Sequence, residues 1–171
     1  MSTNYSVETN INTDTQSTFT QATNTTEPRK PVLQIGSRGV GVVELQKLLA
    51  HWEYYYGSFD GVFGADVETA VKGYQHRVFL KEDGIVGSLT WKALYAGTPV
   101  NMPILRSGST GSDVQLVQTI LQFSGRYPYV IDGIFSPEMQ VVVRTFQRDS
   151  GLPADGIIGD RTWNALSKMP H

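Results

Sequence analysis

A single offset of 72 residues lays Pro31–Gly97 over Pro103–Met169 without a gap, and about 23 of the 67 aligned pairs are identical. The identities fall where backbone geometry or packing is demanding: Gly36/Gly108, Gly39/Gly111, Asp60/Asp132, Gly61/Gly133, Phe63/Phe135, Asp83/Asp155, Gly84/Gly156, Gly87/Gly159 and Trp91/Trp163. A repeat this regular divides the chain into two domains, expected over 31–98 and 103–169. A hydrophobic fraction of 40% gives them enough apolar surface to build cores.

Each copy reads as three helices. Val42, Leu45, Leu48 and Leu49 stand at helical spacing, as do Val114, Val117, Ile120 and Leu121 seventy-two positions later. A second stripe runs through Val67, Ala70, Val71 and Tyr74, answered by Met139, Val142, Val143 and Phe146. Short third helices are expected from Ser88 and Asp160, carrying Trp91 to Leu94 and Trp163 to Leu166. The pair Ser112/Gln115 fits a capping box and gives the second copy's first helix a well-marked start; Val40 and Gly41 make the first copy's start weaker. Ser136-Pro137-Glu138 offers a cap, an N1 proline and an early acid. The fold class expected is all-α.

Residues 1–30 are rich in Thr, Asn, Ser and Gln, with scattered apolar residues such as Tyr5, Val7, Ile11 and Phe19. Too little apolar surface can be buried there to offset chain entropy, so a disordered tail is expected. It serves either as a solvated tether or as an arm that adds to a partner's sheet edge.

The order G-S-x-G-x-x-V-x-x-L-Q-x-x-L, D-G-x-F-G, Y-Q and D-G-x-x-G-x-x-T-W-x-A-L stands at Gly36–Leu49, Asp60–Gly64, Tyr74-Gln75 and Asp83–Leu94. It returns at Gly108–Leu121, Asp132–Ser136, Phe146-Gln147 and Asp155–Leu166. This resembles the bacterial peptidoglycan-binding-like domain family in two tandem copies. Ser136 departs from the pattern's glycine, Val117 from its leucine, and Lys81-Glu82 from a proline-containing approach that Pro153 keeps. The resemblance implies three-helix domains that attach to the bacterial cell wall, usually as a targeting module beside a hydrolase. No hydrolase is legible in this sequence.

The repeat also sorts residues by role. Trp91, Trp163, Tyr55 and Tyr127 occur in both copies and read as core. Asp60-Gly61, Asp83-Gly84 and their counterparts read as turn dipeptides; the alternative pairs the two aspartates of one copy as acid and base. Trp52, Tyr54 and Tyr56 face Ser124, Arg126 and Pro128 in the other copy, so the shared fold does not require them. With Arg126 and Tyr129 they are the candidate ligand-binding residues. Aromatic faces suit sugar rings, and Arg126 suits a stem-peptide carboxylate; the alternative is that the Trp52–Tyr56 cluster packs against the second copy or another protein.

Net charge is only -2, which leaves no footprint for gripping nucleic acid. There is no cysteine, and His51, His76 and His171 show no metal-ligand spacing, so no metal or cofactor is expected. Neither a signal peptide nor a membrane-inserting stretch is visible, which points to cytoplasmic synthesis, with association to a wall or particle afterwards. No catalytic arrangement is legible either, and the chain is expected to be non-enzymatic. The leading function is recognition of the glycan or stem peptide of peptidoglycan. The alternative is an adaptor subunit of a larger assembly, such as a contractile injection particle, meeting protein partners.

Overall fold

The computed structural model describes residues 30–171, so the tail expected over 1–30 falls outside the described residues except for Lys30. Lys30 itself belongs with the folded part. Its Nζ lies 2.7 Å from Glu44 Oε1 and 5.6 Å from the centre of the Trp91 ring.

Six helices follow in order: α1 Val40–His51, α2 Ala65–Arg77, α3 Ser88–Ala96, α4 Ser112–Phe123, α5 Pro137–Asp149 and α6 Asp160–Leu166. Among the described residues no extended pairing exceeds an isolated bridge, and the fold is all-α. The helical stripes face two separate cores. One gathers Val42, Leu45 and Leu49 with Val67, Val71, Tyr74, Trp91 and Leu94. The other gathers Val114, Val117 and Leu121 with Met139, Val143, Phe146, Trp163 and Leu166.

Ser136 caps α5 as its sequence suggests, its Oγ accepting from Met139 N–H at 3.2 Å with Pro137 at N1. Ser112 does not cap α4. The cap residue is Gly111 at φ 116°, matched by Gly39 at φ 106° before α1, and neither helix carries a side-chain cap. Both glycines are anchored by the backbone instead: Gly39 N–H donates to Gly61 O and Gly111 N–H to Gly133 O, each at 2.9 Å. The two copies therefore start their first helix identically, in a left-handed conformation that an L side chain would strain.

Those anchors point to the organising device of the fold. Gln46, on the buried face of α1, donates through Nε2 to Asp60 Oδ1 at 2.8 Å and to Val62 O at 3.3 Å. Its Oε1 accepts from Gly61 N–H at 3.0 Å. Asp60 Oδ1 in turn accepts from Val62 N–H, closing the turn that precedes α2. Gln75 on α2 does the same for the Asp83-Gly84-Ile85 turn that precedes α3, also reaching Thr90 Oγ1. Gln118 and Gln147 repeat both arrangements in the second copy. Each buried amide thus ties the helix that carries it to the turn that launches the next one. The D-G turn reading holds, and each carboxylate is engaged by its own turn.

Each copy's N-terminal segment runs along these turns. Leu33 bridges Val86 and Arg38 bridges Val62, with Leu105–Ile158 and Thr110–Ile134 as the second pair. The shared tryptophans fasten that segment: Trp91 Nε1 donates to Pro31 O and Trp163 Nε1 to Pro103 O, both at 2.8 Å. They are core residues that also pin the start of each copy across sixty residues of chain.

Two outcomes follow from the amide clamps. Gln118→Ala removes four hydrogen bonds, with Tyr127, Asp132, Ile134 and Gly133, and strands the buried glycine N–H, so it should cost about 2–4 kcal/mol in denaturant unfolding. Gln122→Ala, on the exposed face of the same helix, should stay within about 0.5 kcal/mol. The second outcome is acid sensitivity. Asp60 and Asp132 are held below their ordinary value of 3.8 by the glutamine amide and then by the backbone N–H of the turn. Asp83 and Asp155 are held below it by the turn N–H first and the amide second. Because the folded values lie below the unfolded ones, this stabilisation is complete above the unfolded value and disappears as pH falls through the folded values. Urea midpoints should therefore decline between about pH 5 and about pH 2, and Asp132→Asn should flatten that decline.

Candidate functional site

Trp52 is the C-cap of α1, and it is half-buried rather than presented to solvent. Its indole N–H donates to Leu94 O at 2.8 Å, while its ring lies 6.5 Å from that of Tyr74. Tyr54 is also half-buried, edge-on to Tyr74 at 5.6 Å. Both are seated over glycines that the second copy lacks. A Cβ on Gly97 would collide with the Trp52 ring, and one on Gly73 would stand 3.1 Å from Tyr54 Cδ1. The second copy has Met169 and Thr145 at those positions, beside Ser124 and Arg126. Large aromatic against glycine in one copy, and small or polar residue against side chain in the other, is a volume exchange within a common frame. Trp52 and Tyr54 thus serve the packing of the first copy as well as its surface, although the frame shared by both copies does not require them.

Tyr56 differs from its neighbours. It is 86% exposed, with its hydroxyl donating to Glu53 O at 2.8 Å. In the second copy Tyr129 is exposed and edge-on to buried Tyr127 at 5.4 Å. Arg126 stands 3.8 Å from Asp149 and 6.0 Å from the centre of the Phe146 ring. The five candidates therefore occupy two corresponding corners, one on each copy.

The first corner opens onto a cleft of about 660 Å³ between the copies. One wall is His51–Tyr54 with His76 and Arg77; the other is Ser167–His171. Arg126, Tyr129 and Tyr56 do not line it. Beside the cleft the copies meet through Phe79, His76 and His171. Phe79 adopts a left-handed conformation at φ 58°, where its counterpart Gly151 has φ 70°. For a bulky residue that conformation costs about 1–2 kcal/mol. It places the ring 5.6 Å from Trp163 and 4.9 Å from His171, so contact with the second copy offsets the strain. His76 stacks on His171 at 4.6 Å, with its Nε2 2.9 Å from His171 O. The Glu82 carboxylate, 2.8 Å from Nδ1, raises the His76 pKa, with the His171 carbonyl adding to the effect.

Arg77 dominates the electrostatics of the first wall. Its guanidinium lies 5.3 Å from the centre of the Trp52 ring and 5.8 Å from that of Tyr74, and donates to Gly97 O at 3.3 Å. Burial drives the Tyr74 phenol up to about 12, with Arg77 opposing, so Tyr74 stays neutral and donates to Ala93 O at 2.7 Å. Sequence reasoning passed over Arg77 and Lys168 and weighed His76 only as a metal ligand, yet the sign was available: they face Asp149, Ala96 and Arg148 in the other copy, by the same contrast that singled out Trp52. Among the described residues no three His, Asp or Glu side chains converge as metal ligands.

With this geometry in hand, comparison with known proteins gives the family. The peptidoglycan binding domain matches twice, over residues 38–94 and 110–166. The chain belongs to that family. Among relatives, the N-acetylmuramoyl-L-alanine amidase CwlM of Mycobacterium tuberculosis is 31% identical over 149 residues, which is 78% of this chain and 37% of that protein. The spore cortex-lytic enzyme of Bacillus subtilis is 40% identical over 91 residues, 53% of this chain and 27% of that protein. The solved SleB N-terminal domain is 35% identical, covering 40% of this chain and 93% of its own, with a TM-score of 0.39. The chain spans about a third of the length of the two curated relatives. Both are enzymes by name, and that finding overturns the expectation of a non-enzymatic chain; the likeness lies in the peptidoglycan-binding part.

The packing roles of the tryptophans can be measured. Trp163→Ala should destabilise by about 3–5 kcal/mol, the usual cost of deleting a buried large aromatic. Trp52→Ala loses a half-buried ring and one hydrogen bond and should cost about 1–3 kcal/mol in the same chemical melts.

Proposed function

We propose that this chain recognises bacterial peptidoglycan through its two tandem domains and associates with the cell wall by that contact. The observation that carries the reading is the family match in both copies, over residues 38–94 and 110–166. Two linked modules on one polymer gain effective concentration, so the pair holds an insoluble wall more firmly than either alone. We take the modules to span 31–98 and 103–169, and the corners bearing Trp52, Tyr54 and Tyr56 and bearing Arg126 and Tyr129 to be their contact surfaces. Tyr56 and Tyr129 offer exposed aromatic faces to sugar rings, and Arg126 offers a cation to a carboxylate. The relatives reported above lend no support to an adaptor subunit of an injection particle, since they are named for wall enzymes.

Purified sacculi should co-sediment the intact chain. The double variant Tyr56→Ala/Tyr129→Ala should remain folded by circular dichroism and leave several-fold more protein in the supernatant. Failure of the unaltered chain to sediment would remove the peptidoglycan reading.

A further inference from the structure

The cleft between the copies is lined on its first wall by residues that the second copy does not share. All six lining residues of the first copy differ from their counterparts in the second: His51 from Phe123, Trp52 from Ser124, Glu53 from Gly125, Tyr54 from Arg126, His76 from Arg148 and Arg77 from Asp149. Trp52 and Tyr54 are seated by their glycines, yet both still line the cleft. Their rings give the first wall an aromatic surface that suits the apolar face of a sugar or an aliphatic side chain.

The charges of the cleft point to what would lie against that wall. Arg77 makes one hydrogen bond, to Gly97 O, and among the described residues it has no carboxylate within ion-pair distance. A guanidinium carries five N–H donors in a fixed fork, so most of its capacity is open. The Trp52 and Tyr74 rings, 5.3 Å and 5.8 Å from the guanidinium carbon, flank the fork. Across the cleft Lys168 is exposed and likewise unpaired among the described residues. The Tyr54 hydroxyl makes no hydrogen bond among the described residues, which leaves it available to a ligand. Glu53 is the acid among the lining side chains, and His76 is turned to Glu82 and His171.

We infer that the inter-copy cleft is a binding site for the carboxylate end of a peptidoglycan stem peptide, with Arg77 and Lys168 gripping the carboxylate from opposite walls and Trp52 and Tyr54 carrying the attached apolar or sugar portion. This rests on the peptidoglycan reading above and deepens it by placing the site between the copies. A planar guanidinium engages a carboxylate through paired hydrogen bonds, which gives orientation as well as attraction. Because one wall belongs to each copy, a single domain would present only half of the site.

The test uses the full chain, labelled with nitrogen-15, and a soluble disaccharide-tetrapeptide muropeptide as the probe. Addition should shift the Trp52 indole N–H and the Arg77 Nε–H. Converting the probe's carboxylates to amides should weaken binding at least tenfold, as should Arg77→Gln. Lys168→Gln, at an exposed position, should weaken it several-fold with folding undisturbed, and it carries the test if Arg77→Gln fails to fold. Equal affinity for the amidated probe, or shifts confined to the Tyr56 and Tyr129 corners, would overturn the cleft assignment. Sedimentation with sacculi but no muropeptide response at the cleft would overturn it too, leaving wall recognition in place. Absence of both sedimentation and response would bring down both readings together.

Discussion

Everything in each domain hangs on a buried primary amide. Gln46, Gln75, Gln118 and Gln147 are at most 1% exposed, and a group so buried is tolerable only with its hydrogen bonds made. Each is satisfied by an Asp-Gly turn, through the aspartate, the glycine N–H and a carbonyl two residues beyond the aspartate. The consequence is structural economy. Helices of 7 to 13 residues are too short to persist alone, and they are oriented by polar contacts of fixed geometry as well as by apolar packing. The turn also fixes the backbone that bridges to the N-terminal segment, and the shared tryptophan then holds that segment down.

With orientation supplied by the clamps, the surfaces away from them are free to diverge. The first copy has used that freedom to place Trp52 and Tyr54 over glycines, and to spend a left-handed Phe79 on contact with the second. The second copy keeps smaller or polar residues at the same corner. Two domains with one frame thus present different faces, and their junction creates a cleft that a symmetrical pair would lack. His76, Phe79 and Trp163 hold the junction, and Arg77 on one wall and Lys168 on the other give the cleft a cation from each copy.

Much of this was legible in the sequence, because a repeat makes the demands of a fold visible. The two cores, the helical stripes, the turn dipeptides, the Ser136 cap and the tryptophans all announce themselves by recurring or by local chemistry. The role of the glutamines did not: their identity in all four places was visible, but a polar residue on a helical stripe reads as a boundary until its turn is seen folded against it. Ser112 misled because a capping box is a local rule, and here a backbone bond from Gly111 to Gly133 O fixes the helix start from 22 residues away. The packing role of Trp52 was hidden for a related reason. Its absence from the second copy marks it as variable, but its partner, Gly97, lies 45 positions on, and periodicity carries no information about such pairs. The cleft itself depends on how two domains meet, which no stripe or motif encodes.

The dependence of the fold on its amide clamps is tested most directly by native-state hydrogen exchange at the four glycine N–H groups that donate to glutamine Oε1: Gly61, Gly84, Gly133 and Gly156. These amides lie in turns, where exchange is ordinarily fast. If the clamps hold the domains together, all four should exchange only through global opening, at the free energy shown by the core amides of α1 and α4. Exchange of these glycines through local fluctuation, with the helices still protected, would contradict it.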